Sequence, residues 1–135
     1  MNAVYVLIIQ LVKTKAIKVG ALGELVFHKG MYAYTGSAQS NFHKRIERHL
    51  RRKKKLFWHI DYLLNNENTD LLKIFFKQGI KKEECNLAGL ISKKGKAIPR
   101  FGSSDCKCKS HLFRIEDFEF LEKRLKELNK KHNAF

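Results

Sequence analysis

Acidic side chains are scarce in this sequence: 13 stand against 28 lysines and arginines in 135 residues, a formal net charge of +15 at pH 7. So large an imbalance excludes a neutral surface. A polyanion is the natural partner, because phosphate backbones repay bound cations by releasing counterions. Cysteine is equally sparse. There are three, Cys85, Cys106 and Cys108, and an odd number fits poorly with a secreted disulfide scaffold, so a reducing cytoplasm is the expected compartment. No apolar run is long enough to span a bilayer. The start, Met1-Asn2-Ala3, offers neither a myristoylation signal nor a basic leader. Nucleic acid is therefore expected as partner, and a membrane is not.

What is present is enough for one core. Hydrophobic residues make up 44% and are spread along the length, which argues against global disorder. With no internal repeat and no long polar interruption, residues 1–135 read as one domain of the usual size. Val4 to Val12 is a continuous, β-branched run, read as a central strand covered on both faces. Glu24 to His28 and Met31 to Gly36 flank Lys29-Gly30, a hairpin signal. Further on, Leu71 to Phe76 reads as a strand, Phe57 to Leu64 and Lys82 to Lys93 as helices, and Asn65 to Asn68 as a turn. The segment after Gly95, through Pro99 to Ser104, reads as irregular, and Phe118, Leu121, Leu125 and Leu128 carry the spacing of a C-terminal amphipathic helix. The expected class is α/β of the α+β kind, a small central antiparallel sheet flanked by helices.

A helix is also expected after the N-cap residues Ser40 or Asn41, with Phe42, Ile46 and Leu50 as its buried stripe. Arg45, His49 and Arg52 fall at i, i+4 and i+7 and form a second stripe. Lys44, Arg48, Arg51, Arg52, Lys53 and Lys54 are the candidate contacts to a nucleic-acid backbone.

A strand ending in Tyr34-Thr35-Gly36-Ser37-Ala38, followed by a helix with Arg45 and His49 four apart, resembles the core of the GIY-YIG nuclease superfamily. Ala3-Val4-Tyr5 stands at the first motif, with Ala3 in place of glycine, and Tyr34-Thr35-Gly36 at the second, with Thr35 in place of isoleucine. Arg45 matches the helix arginine and Glu84, in Glu84-Cys85-Asn86-Leu87-Ala88, the later glutamate; Glu83 is the neighbouring alternative. The core likeness covers residues 3–93. Trp58-His59-Ile60-Asp61-Tyr62 and the block from Phe101 to Phe113 resemble the stand-alone Uri-type branch, also found attached to DNA-repair glycosylase-type proteins. Residues 94–135 are then a branch-specific extension.

The resemblance implies a GIY-YIG-like fold and a Mg²⁺- or Mn²⁺-dependent endonuclease acting on DNA in preference to RNA, on single-stranded or damaged DNA, as monomer or homodimer, and in association with DNA-repair proteins. It makes Glu84 the metal ligand and Arg45 the stabiliser of charge on the phosphoryl group, a role suited to a permanently charged planar fork. Tyr5 and Tyr34 would orient water and phosphate, one of them as a phenolate base if a cation lowers its pKa. His49 and His59 would position a tyrosine or relay protons. Each residue has an ordinary rival reading: packed aromatics for the tyrosines, a surface carboxylate for Glu84, a satisfied core histidine for His59. For the whole chain the rivals are a non-catalytic nucleic-acid-binding module and, behind it, a partner of membrane surfaces or acidic proteins.

Cys85, Cys106, Cys108 and His111 contain enough ligands for a tetrahedral zinc site. The Cys-x-Cys-x-x-His spacing is tighter than in common zinc fingers and Cys85 is remote, so small buried thiols are the preferred reading, ahead of a disulfide or zinc.

Overall fold

The computed structural model describes residues 2–129. Its centre is β1 (Asn2–Leu11), whose side chains are buried on both faces. The run from Ala3 to Ile9 is apolar apart from the Tyr5 hydroxyl, so neither face suits water. Each is covered: Ala3, Tyr5, Leu7, Ile9 and Leu11 enter one core, Val4, Val6 and Ile8 the other.

β1 pairs antiparallel with β4 (Gly30–Gln39) on one side and with β5 (Thr69–Gln78) on the other. Short strands complete a six-stranded antiparallel sheet in the order β6-β7-β4-β1-β5-β8, with β6 at Lys96–Ala97, β7 at Leu112–Ile115 and β8 at Lys126–Glu127. Helices α1 (Phe42–Leu50) and α2 (His59–Leu64) bring Phe42, Ile46, Ile60, Leu63 and Leu64 to the first core. Helices α3 (Lys82–Ser92) and α4 (Glu119–Glu122) bring Leu87, Ala88, Ile91 and Leu121 to the second. The expected α+β class with a central antiparallel sheet is what is found. Among the described residues no helix is long and apolar enough to cross a membrane.

Three expectations are corrected. Residues flanking Lys29-Gly30 do not pair as a hairpin: β3 (Glu24–Phe27) joins β2 (Lys15–Lys18) in a separate two-stranded sheet, while β4 leaves to pair with β1 from Leu11 opposite Gly30 to Asn2 opposite Gln39. A ten-residue strand with two apolar faces selects an equally long partner over a four-residue one. The C-terminal stripe is not one helix. Phe118, Leu121 and Leu125 pack into the second core, but Leu128 packs into the first and donates its N–H to Ile74 O at 2.8 Å. No single helix face reaches both sides of a sheet, so α4 stops at Glu122 and the chain pairs with β5. On α1, finally, Leu50 is exposed and His49 takes the third buried place after Phe42 and Ile46. Asn41 is the N-cap residue, without a side-chain cap bond.

Candidate active site

The cross-strand register begins the site. Tyr5 on β1 lies opposite Gly36 on β4, and a Cβ at Gly36 would stand 2.5 Å from Tyr5 Cζ and 2.6 Å from its hydroxyl. Only glycine leaves room for the ring to lie across the neighbouring strand. Gly102 plays a related part for Tyr34: its φ is +70°, and a Cβ there would come within 3.1 Å of Tyr34 Cε1. Both tyrosines are thus seated by a glycine distant in sequence.

They share a polar cleft of about 590 Å³ with Gly36, Ser37, Arg45, Trp58, His59, Lys81, Glu84, Ser104 and Asp105. Of the expected catalytic and metal-binding residues, Tyr5, Tyr34, Arg45, His59 and Glu84 line this one space, although they come from β1, β4, α1, α2 and α3.

Arg45 is held before any ligand arrives. Its Nη1 donates to Ser37 O at 2.9 Å and its Cζ lies 4.4 Å from the centroid of the Trp58 ring, an attractive arrangement for a cation. Glu84 is anchored at both oxygens: Oε1 accepts from Ser37 Oγ at 2.6 Å, and Oε2 lies 2.6 Å from His111 Nδ1. The second approach is short but oblique, a close contact without the alignment of a hydrogen bond. Adjacent Glu83 pairs with Lys77 outside the cleft, so Glu84 is the carboxylate of this helix that faces Tyr5 and Arg45.

His59 Nδ1 accepts the Gly102 N–H at 2.8 Å, which leaves Nε2 to carry the proton; burial pushes its pKa down. His49 lies beneath the cleft, 3% exposed, with Nε2 2.8 Å from the Tyr5 hydroxyl. Burial, reinforced by Lys54, lowers its pKa to about 3, so the ring is neutral and its part is to hold Tyr5. Burial likewise raises both phenols well above their ordinary value, against the pull of Arg45. Neither tyrosine is a phenolate near neutral pH, and a base role would need a further cation beside it.

The basic segment divides. Arg48 forms a two-pronged ion pair with Asp61 at 2.8 Å on each prong, and its Cζ also lies 4.3 Å from the Trp58 ring centroid. Asp61 is fully buried and also accepts the Phe57 and Trp58 backbone N–H groups, starting α2. Burial pushes its pKa up, but these donors outweigh burial and hold it below the ordinary value. Arg52 lies beyond the end of α1 and donates to the carbonyls of Leu64, Asn66 and Thr69, so the expected Arg45–His49–Arg52 stripe is broken. Lys54 caps the carbonyls of Arg48 and His49 at 3.2 Å. Lys44, Arg51 and Lys53 remain exposed.

Sequence reasoning missed Ser37, Trp58 and Lys81 as cleft residues. Strand parity carried a signal for Ser37, three residues from Tyr34 and so on the opposite face, toward α3. Nothing in the sequence marked Lys81, which pairs with Asp105 at 3.0 Å across 24 residues. Ser104, from the stretch that reads as irregular, and Asp105 beside it also line the cleft. The four possible zinc ligands do come together: Cys85, Cys106, Cys108 and His111 have ligand atoms within 4.8 Å of one another, and the three thiols are free.

No curated protein and no solved structure matches the chain at a significant level. The family model described as Domain of unknown function DUF123 matches residues 4–134, and the chain belongs to that family.

Proposed function

We propose that the chain is a divalent-metal-dependent endonuclease that hydrolyses phosphodiester bonds in DNA, in a cytoplasmic setting. The observation that carries this reading is the convergence of Tyr5, Tyr34, Arg45, His59 and Glu84 on one cleft, in the set expected from the resemblance to GIY-YIG nucleases. The chain's +15 charge supports a polyanionic substrate.

Mg²⁺ or Mn²⁺ fits the donors present. Glu84 offers a hard carboxylate at the wall of a polar cleft with space for the waters such ions keep. When bound, the ion polarises a phosphoryl oxygen and makes a water easier to deprotonate. The chain's residues do the rest. Arg45, fixed by Trp58 and the Ser37 carbonyl, directs its remaining N–H groups at the phosphoryl oxygens, where negative charge grows. Tyr5, held by His49, and Tyr34 act as protonated phenols that orient phosphate and water. Water attacks phosphorus and gives up a proton to the solvent filling the open cleft. The bond to the leaving oxygen breaks, and that oxygen, steadied by a hydrogen bond from the neutral His59 Nε2–H, takes a proton from the same solvent.

The test is cleavage of labelled single- and double-stranded oligonucleotides in Mg²⁺ or Mn²⁺ by the wild type, Arg45→Ala and Glu84→Ala. Loss of a charge-stabilising donor costs about 10²–10³-fold in rate, and both variants are expected to fall at least that far. Equal background products from all three proteins overturn the reading. One alternative, allowed by Ala3 in place of the first motif's glycine, is a nucleic-acid-binding module without cleavage. It predicts salt-sensitive binding that needs no divalent ion and survives Glu84→Ala.

A further inference from the structure

The cleft does not use Cys85, Cys106 and Cys108. Cys85 comes from α3, Cys106 and Cys108 from the stretch between Phe101 and His111, and His111 from the residue before β7. That stretch has no helix or strand of its own. It is closed at its base by Arg100 N–H to Lys109 O at 2.7 Å and His111 N–H to Phe101 O at 2.8 Å, and the thiols of Cys106 and Cys108 lie beyond that closure.

We propose that Cys85, Cys106, Cys108 and His111 bind one Zn²⁺ in a closed, tetrahedral, structural site that also fixes the ring holding Glu84. Four observations carry it. The four ligand atoms lie within 4.8 Å of one another. His111 Nε2 is 3.4 Å from Cys106 Sγ and 4.0 Å from Cys85 Sγ. A tetrahedron with Zn–S of ~2.3 Å and Zn–N of ~2.0–2.1 Å has ligand-to-ligand edges of about 3.6–3.8 Å, and the two distances bracket that range. The thiols are only half-buried, and although Cys108 packs against the second core, Cys85 and Cys106 do not belong to either core, so apolar packing does not account for the gathering of all three. A disulfide would use two sulfurs and strand the third, whereas zinc uses all three and the imidazole. Lys107 and Lys109 alternate with Cys106 and Cys108, which offsets the net negative charge of three thiolates on one Zn²⁺.

The orientation of His111 supplies the link to the cleft. Nε2 faces the sulfurs while Nδ1 lies 2.6 Å from Glu84 Oε2, close but not aligned for a hydrogen bond. A small turn of the ring on binding zinc would align the two and give the carboxylate–histidine–metal arrangement that fixes ring angle and tautomer. Zinc on Nε2 leaves Nδ1 to carry a proton toward Glu84. With all four positions taken by protein the zinc has no open place for water, so its role is structural. This positioning of Glu84 rests on the proposed nuclease reading; zinc binding itself does not.

The full chain, purified without chelator, is expected to carry one zinc per molecule by elemental analysis. Zinc-edge X-ray absorption is expected to give three sulfurs at ~2.3 Å and one nitrogen at ~2.0–2.1 Å. Cys108→Ser is expected to lower zinc content at least tenfold, and Glu84→Gln to leave it at one equivalent while cleavage is abolished. Should Cys108→Ser not fold, the wild-type absorption spectrum still decides. Folded wild type that takes up no zinc on titration, or zinc in an oxygen and nitrogen shell alone, overturns the site. If zinc is absent and cleavage is present, this proposal fails and the nuclease reading stands; if zinc is bound and cleavage is absent, the reverse holds.

Discussion

Arg45 and Arg48 lie three residues apart on α1 and approach the same tryptophan, at 4.4 and 4.3 Å from its ring centroid, yet they belong to different regions of the molecule. Arg45 lines the cleft with Glu84 and the tyrosines. Arg48 belongs to the corner between α1 and α2, where Asp61 takes both of its prongs. Arg52 and Lys54 join that corner by closing backbone carbonyls. Identical charges in one basic run therefore have opposite uses, decided by whether a buried acceptor lies within reach. The excess of positive charge overstates the cationic surface left free for any polyanion.

The largest effect expected on that contrast comes from exchanging the roles. Arg48→Met leaves the buried Asp61 carboxylate without its cation and is expected to destabilise the fold by about 3 kcal/mol, read by urea unfolding. Arg45→Met, which strands no buried charge, is expected to cost under about 1 kcal/mol in the same assay while still abolishing cleavage. Equal decreases in stability would erase the division. Gly36→Ala comes next: the added Cβ must displace the Tyr5 ring, which is expected to destabilise the fold by about 2 kcal/mol and to abolish cleavage.

Acid provides a gentler probe. His49 has a folded pKa near 3 and an unfolded value of ~6.5. Between these the unfolded chain binds a proton that the folded chain refuses, so stability is complete above ~6.5 and falls as pH drops toward 3. The His49 contribution is at most ~1.4 kcal/mol per pH unit, and His49→Gln is expected to flatten the slope of unfolding free energy against pH. An unchanged slope would mean that His49 titrates freely. The smallest effect belongs to exposed Lys44 and Lys53: their joint replacement by alanine is expected to leave stability within about 0.5 kcal/mol. It should reduce the log–log salt dependence of duplex DNA binding by about 0.9 for each phosphate that the two lysines neutralise in the wild type.

The dry side of the site was more legible in sequence than the polar side. Tyr5 and Tyr34 sit in strands whose apolar runs announce themselves and Arg45 and His49 in a helix marked by its spacing, but it was the resemblance to GIY-YIG nucleases that singled these four out as site residues. Ser37, Lys81 and the approach of His111 to Glu84 depend on how α3 and the 101–111 stretch dock, which no local period encodes. Leu50 and Leu128 misled for a related reason. Each has the spacing of a buried stripe, but α1 ends at Leu50, and hydrogen bonding to Ile74 draws Leu128 to the other face of the sheet. The strand partner of β4 was likewise set by length and by two-sided burial, features of β1 and not of the Lys29-Gly30 turn.

The most direct test is an anomalous-scattering map from crystals soaked in Mn²⁺. One ion bound to Glu84 at ~2.1 Å, facing Tyr5, Tyr34 and Arg45 across the cleft, is the predicted result. Manganese bound only elsewhere, with Glu84 still held by Ser37 and His111 alone, would contradict it.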